Sequence, residues 1–255
     1  MKKKIELAGN YSKNARLFQK VESIPGEQAM YEQAKKELLA ELQIHHGPAT
    51  ILDFCCGTCE IFSRIAPNPM VGRFVGVDTE KNYLDFAGAR LAGKTDFELV
   101  QGDAVDCSLG ITADIVIASS AYHHIEDERK VAFLRNIIRH MKPDGRAIFA
   151  ENILPAYGNE EERRSAVMEF YGKRIAEARG IGMDEEVVAL LRQVMDFEMN
   201  REYEWKSDYR RFMQNLENAG FAILRKTRVW PIGCGFDDPL AGDYVLVAEV
   251  PAEYM

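Results

Sequence analysis

"ILDFCCGTCE", Ile51 to Glu60, is the stretch that has to be read first. Three of the chain's five cysteines crowd into it, two of them as a Cys56-Gly-Thr-Cys59 pair. Ahead of it, "ATILDF" (49–54) is a short apolar run that predicts a buried strand. Behind it, "EIFSRIA" predicts a helix stopped by Pro67 and Pro69. Three chemistries suit a cysteine-rich turn between a strand and a helix. Structural zinc takes four closed ligands, commonly as two separated pairs, whereas here one cluster stands with no second pair. His45 and His46 lie upstream on a different element, so no metal site is expected. A redox dithiol also sits at a helix start, but this chain is long for that class and Asp53 directly precedes the turn. It stays as an alternative. The third chemistry is a ligand-binding turn, in which small side chains let backbone N–H groups and a helix N-terminus approach a nucleotide-like ligand.

Outward from this turn, strands and helices alternate. Residues 26–46 carry Ala29, Met30, Ala34, Leu38, Leu39 and Leu42 at helical spacing. After the turn, strands are expected at 73–78, 97–103 and 113–120, with a helix in "EKNYLDFAGARLA". A further helix over 126–141 is expected to close at Pro143-Asp144-Gly145 before a strand at 146–152. Short apolar strands separated by helices are the pattern of βαβ units and a parallel sheet. The rhythm breaks over 153–206, where two long helical segments and no strand are expected. It resumes with a helix ending at Gly220 and a closing antiparallel pair at 222–230 and 243–250. Three parts follow: an N-terminal arm (1–25), a Rossmann-like cofactor-binding domain (26–152 and 207–255), and a helical lid or cap (153–206).

Composition narrows the function. A net charge of −8 argues against nucleic-acid binding, which needs a basic face. No run approaches the roughly 20 apolar residues of a membrane helix. The basic start lacks an apolar core behind it, so no signal peptide is expected. An odd number of cysteines suits reduced thiols in a cytoplasmic protein.

"ILDFCCGTCE" resembles the first motif of class I S-adenosylmethionine-dependent methyltransferases, an acid followed by alternating glycines. Cys55 and Cys59 stand where outer glycines are usual, and Gly57 remains. Quinone-biosynthesis C-methyltransferases also resemble "LDxCCGT" here. Three further stretches are similar to the family in register. Asp78, ending the second strand ahead of Thr79, matches the acid that takes the ribose hydroxyls. In "VQGDAVD", Asp103 and Ala104 match the adenine motif. "DIVIASSAYHHIED" resembles the fourth motif, with Ser119 at the sheet edge, and "MKPDGRAIFAEN" the fifth-strand signature. The resemblance covers about residues 45–152 by motif and 207–250 by topology. It implies a Rossmann-like α/β fold with a seven-stranded, mostly parallel sheet and a lid insertion between strands 5 and 6. It also implies S-adenosylmethionine as cofactor, held by Asp53, Cys55, Gly57, Asp78, Thr79, Asp103, Ala104 and Ser119. By the same analogy Tyr11 folds over the cofactor.

The implied activity is methyl transfer to a small-molecule acceptor, with neither nucleic acid nor membrane as partner. His123 is the candidate base, since an imidazole titrates near neutrality. Glu151, Asn152 and Tyr171 are candidate acceptor contacts. Other aromatic residues of the insertion (Tyr157, Phe170, Phe197, Tyr203, Trp205) supply core or an acceptor pocket. Two alternatives share the fold: a cyclase or lyase in which the cofactor's own amine displaces methylthioadenosine, and a cofactor-binding protein without turnover.

Overall fold

The computed structural model describes residues 23–231 and 235–252. Tyr11, most of the proposed arm and Cys234 lie outside the described residues. Seven strands form one sheet in the order β3-β2-β1-β4-β5-β7-β6. They are β1 (Ala49–Phe54), β2 (Val71–Asp78), β3 (Glu98–Gln101), β4 (Ala113–Ser119), β5 (Met141–Ile153), β6 (Ala222–Trp230) and β7 (Gly242–Glu249). The first five run parallel, and β7 is antiparallel to both β5 and β6. The expected mostly parallel seven-stranded sheet is therefore present.

The central strands are apolar throughout because both of their faces are covered. Leu52, Val116, Phe149 and Leu246 point to one face, and Ile51, Ile117, Ile148 and Val245 to the other. On the first face pack α4 (Lys130–Arg139) through Phe133 and Ile137, and α7 (Tyr209–Ala219) through Phe212 and Leu216. On the second pack α1 (Pro25–Ile44) through Met30, Ala34, Leu38 and Leu42, and α3 (Lys81–Leu91) through Leu84, Ala87 and Leu91.

Three boundaries differ from the expectation. The helix after the cysteine turn, α2 (Glu60–Ser63), is one turn long and tightens at Arg64 and Ile65 into i→i+3 bonds ahead of Pro67. The helix expected over 126–141 opens with a 3₁₀ turn at Asp127–Arg129 before α4. Pro143-Asp144-Gly145 is not a helix stop but a bulge inside β5, since Ala113 pairs with Met141 and Ile115 with Arg146.

Between β5 and α7 the chain leaves the sheet as α5 (Glu160–Gly180) and α6 (Glu185–Asn200). Asn159 caps α5 by accepting the Glu162 N–H, and Glu160, Glu161 and Glu162 suit the positive end of its dipole. The two ends of this excursion meet, with Leu154 N–H donating to the Ser207 carbonyl at 3.0 Å. Lys130, buried, fastens them to the sheet: its ammonium donates to Asp127 Oδ1 (2.7 Å), Ser207 Oγ (3.0 Å) and the Trp205 carbonyl. Ala178, Val187, Val188 and Leu191 pack with Ile24 beside α1, while Phe170 and Tyr171 pack against Trp230.

The bulge yields a stability prediction. A Cβ on Gly145 falls 2.9 Å from the Lys142 carbonyl oxygen and 3.2 Å from that of Ala113, both backbone atoms that cannot swing aside. Gly145→Ala is expected to lower unfolding free energy by about 1–3 kcal/mol, read as a shifted urea midpoint with unchanged slope.

Candidate active site

The strand order reverses between β1 and β4, and a cavity of about 360 Å³ opens at the carboxyl edge there. One wall is the cysteine turn. Cys55, Gly57 and Cys59 adopt left-handed backbone, with φ of 56°, 50° and 55°. These are the positions where alternating glycines are usual, and the two cysteines take the conformation glycine favours. The turn is fixed from three sides. Cys56 N–H extends the ladder to the Val77 carbonyl (2.9 Å). Its thiol packs against Gly76, where a Cβ would come within 2.9 Å of the sulfur. Arg90 of α3 donates to Thr58 Oγ1 (3.1 Å) and to Glu60.

Asp78 completes the turn. Its Oδ2 accepts from Gly57 N–H and its Oδ1 from Glu80 N–H, each at 2.9 Å. Burial nevertheless raises its carboxyl above the usual range, those hydrogen bonds opposing the shift. Burial, and then the charge of Asp78, push the Asp53 carboxyl well up. A buried carboxylate beside a half-buried one makes a site that favours hydroxyl donors and positive charge. The buried Ser119 hydroxyl lacks a hydrogen-bond partner among the described residues and lines the same cavity. These features fit the ribose and the cationic end of S-adenosylmethionine. Asp103 sits further along, its Oδ1 accepting from Val105 N–H (2.9 Å) and its Oδ2 from Arg129 (2.9 Å) at the rim.

The thiols are not arranged for exchange chemistry. Burial raises the Cys55 thiol, and a contact with Cys59 followed by burial raises that of Cys56, opposite to the shift that activates a redox dithiol.

The opposite wall joins the turn after β4 to the excursion. His123 is buried, with Nδ1 2.7 Å from Glu151 Oε2. Glu151 Oε1 accepts the N–H groups of Ala121 (2.8 Å) and Tyr122 (2.7 Å). Burial, then the Lys206 ammonium, hold the imidazole well below its ordinary range, while burial raises Glu151 to about 7. Beyond His123, Glu204 and Lys206 form a buried ion pair, and Glu204 Oε2 lies 3.8 Å from His123 Nε2. Trp205 N–H donates to the His123 carbonyl (2.7 Å), joining this segment to the histidine turn. Deeper in, Arg174 pairs with Asp243 and with Glu27 (3.1 Å), and Asn152 donates to Asp243 (2.8 Å).

Of the residues singled out in the sequence, Asp53, Cys55, Gly57, Asp78, Thr79, Asp103, Ala104, Ser119, His123, Asn152 and Tyr171 all line the cavity. Glu151 does not: it lies behind His123, fully buried, and is corrected from an acceptor contact to a positioning group. Glu27, Arg129, Arg174, Glu204 and Lys206 also line the cavity and carry no motif. Only the alternation "YEWK", acid and base flanking an aromatic, hinted that Glu204 and Lys206 share a face.

Residues 51–145 match the family described as "Methyltransferase domain". Cypemycin N-terminal methyltransferase of a Streptomyces species is 37% identical over 100 residues, 38% of this chain and 40% of that protein. Demethylmenaquinone methyltransferase of Staphylococcus carnosus is 28% identical over 126 residues, 48% of this chain and 50% of that protein. The chain thus spans about half or less of the length of these relatives. Among solved structures, an S-adenosylmethionine-dependent methyltransferase from Clostridium acetobutylicum superposes with a TM-score of 0.59 at 11% identity, covering 96% of this chain and 98% of that one. Magnesium protoporphyrin IX methyltransferase from Synechocystis with bound S-adenosylmethionine does so with 0.59 at 12%, covering 97% and 96%. At these identities the structural likeness bears on the fold. With the matched methyltransferase domain over residues 51–145, the left-handed turn and the acids at the strand ends in register, the chain is similar to class I S-adenosylmethionine-dependent methyltransferases.

Proposed function

We propose that the protein transfers a methyl group from S-adenosylmethionine to a small-molecule acceptor lying between the sheet edge and helices α5 and α6. The observation that carries this reading is one continuous cavity. It joins the Asp78–Gly57 cradle to a wall of His123, Tyr171 and Glu204, and its size is within the roughly 300–1,000 Å³ of ligand sites. Bound S-adenosylmethionine supplies a methyl group already activated by its sulfonium. Asp78 holds the ribose hydroxyls, Asp103 the adenine amine, and Asp53 with Ser119 the methionyl end. Helices α5 and α6 act as the lid, excluding water and aligning the acceptor. Demethylmenaquinone and magnesium protoporphyrin IX, named for one relative and one structural neighbour, are acceptors of the proposed class.

His123 is the base. With Glu151 ionised, its carboxylate accepts the Nδ1 proton and leaves the Nε2 lone pair facing the cavity, ready to take a proton from the acceptor. With Glu151 protonated, the carboxyl donates to Nδ1 and the ring proton moves to Nε2, where it blocks that role.

The direct test is mass spectrometry of the protein incubated with S-adenosylmethionine and candidate acceptors. A methylated acceptor and S-adenosylhomocysteine in equal amounts support the proposal. Methylthioadenosine formed without acceptor would replace it with cyclisation. Asp78→Ala removes the ribose contact and frees the Gly57 N–H, so S-adenosylhomocysteine affinity should drop by about 1–3 kcal/mol in calorimetry. An unchanged affinity dismisses the assignment. The sign of the pH profile follows from Glu151. Its carboxyl, raised to about 7, must lose its proton before Nε2 can act, so turnover rises as pH passes upward through that value. In Glu151→Gln the amide oxygen still accepts both N–H groups, but its NH₂ forces the wrong histidine tautomer. Turnover is expected to fall about 10²–10⁴-fold with cofactor affinity retained and the rise near neutrality gone.

A further inference from the structure

Beyond methyl transfer, the geometry points to a divalent transition-metal site formed by His123, His124 and Glu204 at the cavity wall. One ligand atom from each lies within 4.8 Å of the others. His123 Nε2 is 3.8 Å from Glu204 Oε2, and His124 Nδ1 is 3.7 Å from Glu204 Oε1. An ion in tetrahedral coordination, with bonds of about 2.1 Å, keeps its ligand atoms about 3.4 Å apart. The two histidine–carboxylate distances exceed that spacing by a few tenths of an ångström, and no pair of ligand atoms exceeds it by more than about 1.4 Å.

The support behind them is that of a metal site. Glu151 takes the Nδ1 proton of His123, fixing the ring and presenting Nε2 as an unprotonated ligand; a carboxylate behind a histidine does this in metal centres generally. Two of the three groups are buried, 4% exposed at His123 and 5% at Glu204. The Tyr203 carbonyl accepts the His124 Nδ1–H at 2.9 Å, a hydrogen bond that an ion at this nitrogen would replace. Tyr171, buried, lines the same cavity. Lys206 bonds the Oε2 atom of Glu204, and Oε1, on the His124 side, remains for an ion. Two imidazoles and one carboxylate select zinc, cobalt or iron(II) over magnesium or calcium, and three protein ligands leave a position open toward the cavity. There an ion would bind the acceptor's heteroatom and ease loss of its proton to water, and His123 Nε2, then a ligand, would no longer serve as the base. That use rests on the methyl-transfer reading; the binding does not.

The test uses the full chain, stripped with a chelator, without cofactor or acceptor. Zn²⁺ is titrated by calorimetry and Co²⁺ by its visible absorption. One equivalent should bind. His124→Ala, at a side chain 47% exposed and safe to remove, and Glu204→Gln should each weaken binding at least about tenfold. Glu151→Gln should weaken it about 10–100-fold. His45→Ala and the Cys56→Ser/Cys59→Ser pair should leave it intact. Absence of stoichiometric binding overturns the proposal. So does binding that survives His124→Ala and Glu204→Gln, or that disappears with the two cysteines.

Discussion

The carboxyl edge of this sheet depends on one carboxylate. Asp78 stops β2 by accepting the Glu80 N–H and reaches sideways to the Gly57 N–H. A loop with three left-handed residues within five positions has no regular ladder of its own to hold it. The strain of two cysteines in that region, of order 1–2 kcal/mol each, is held by what surrounds the loop. Arg90 grips it from α3, the Val77 carbonyl from β2, and Gly76 leaves room for the Cys56 thiol. The same carboxylate that shapes the loop lines the cavity, so under the proposed function local folding and cofactor recognition are one interaction.

Much of this was legible in the residues. Buried parallel strands announce themselves as unbroken apolar runs, and acids at their carboxyl ends fall into register once the first turn is placed. The cysteines were legible for a subtler reason: their spacing around Gly57 copies a glycine pattern, and the backbone took up that pattern's φ values. Pro143-Asp144-Gly145 misled because its composition is that of a turn, while the pairing of β4 with β5 on both sides carries the strand through it as a bulge. The helix at 60–66 was read too long because Pro67 affects the residues before it as well as its own position. Glu151 was placed in the right region with the wrong task. Its position leaving a strand gave no sign that two N–H groups and an imidazole would converge on it.

The far wall was largely illegible because it is electrostatic. Arg163 is fully buried with Glu198, Arg174 with Asp243, and Lys206 with Glu204. In the sequence each of these is one more charge on a helix, a loop or a strand end, and a solvated face is the default reading. Their burial emerges only when α5 and α6 close over the sheet edge. Replacing such pairs with apolar residues is often neutral for stability, so what they contribute is orientation: each fork or ammonium accepts a narrow range of carboxylate positions.

That rigidity bears on how the excursion meets the catalytic turn. At the end of α6 the chain adopts left-handed backbone at Arg201 and Tyr203 and then passes through Glu204, Trp205 and Lys206 without regular secondary structure. Glu204, paired with Lys206, lies 3.8 Å from His123 Nε2, while the Trp205 N–H bonds to the His123 carbonyl. Lys130 grips the Trp205 carbonyl and Ser207 from beneath, and Arg201 reaches back to Asp127. A displacement of α6 therefore cannot leave the histidine turn untouched, because the two are joined by backbone hydrogen bonds as well as charge. The wall beside the cavity and the imidazole that faces it are therefore tied into one unit, and under the proposed function that is the condition for closing over a ligand to bring the base into line.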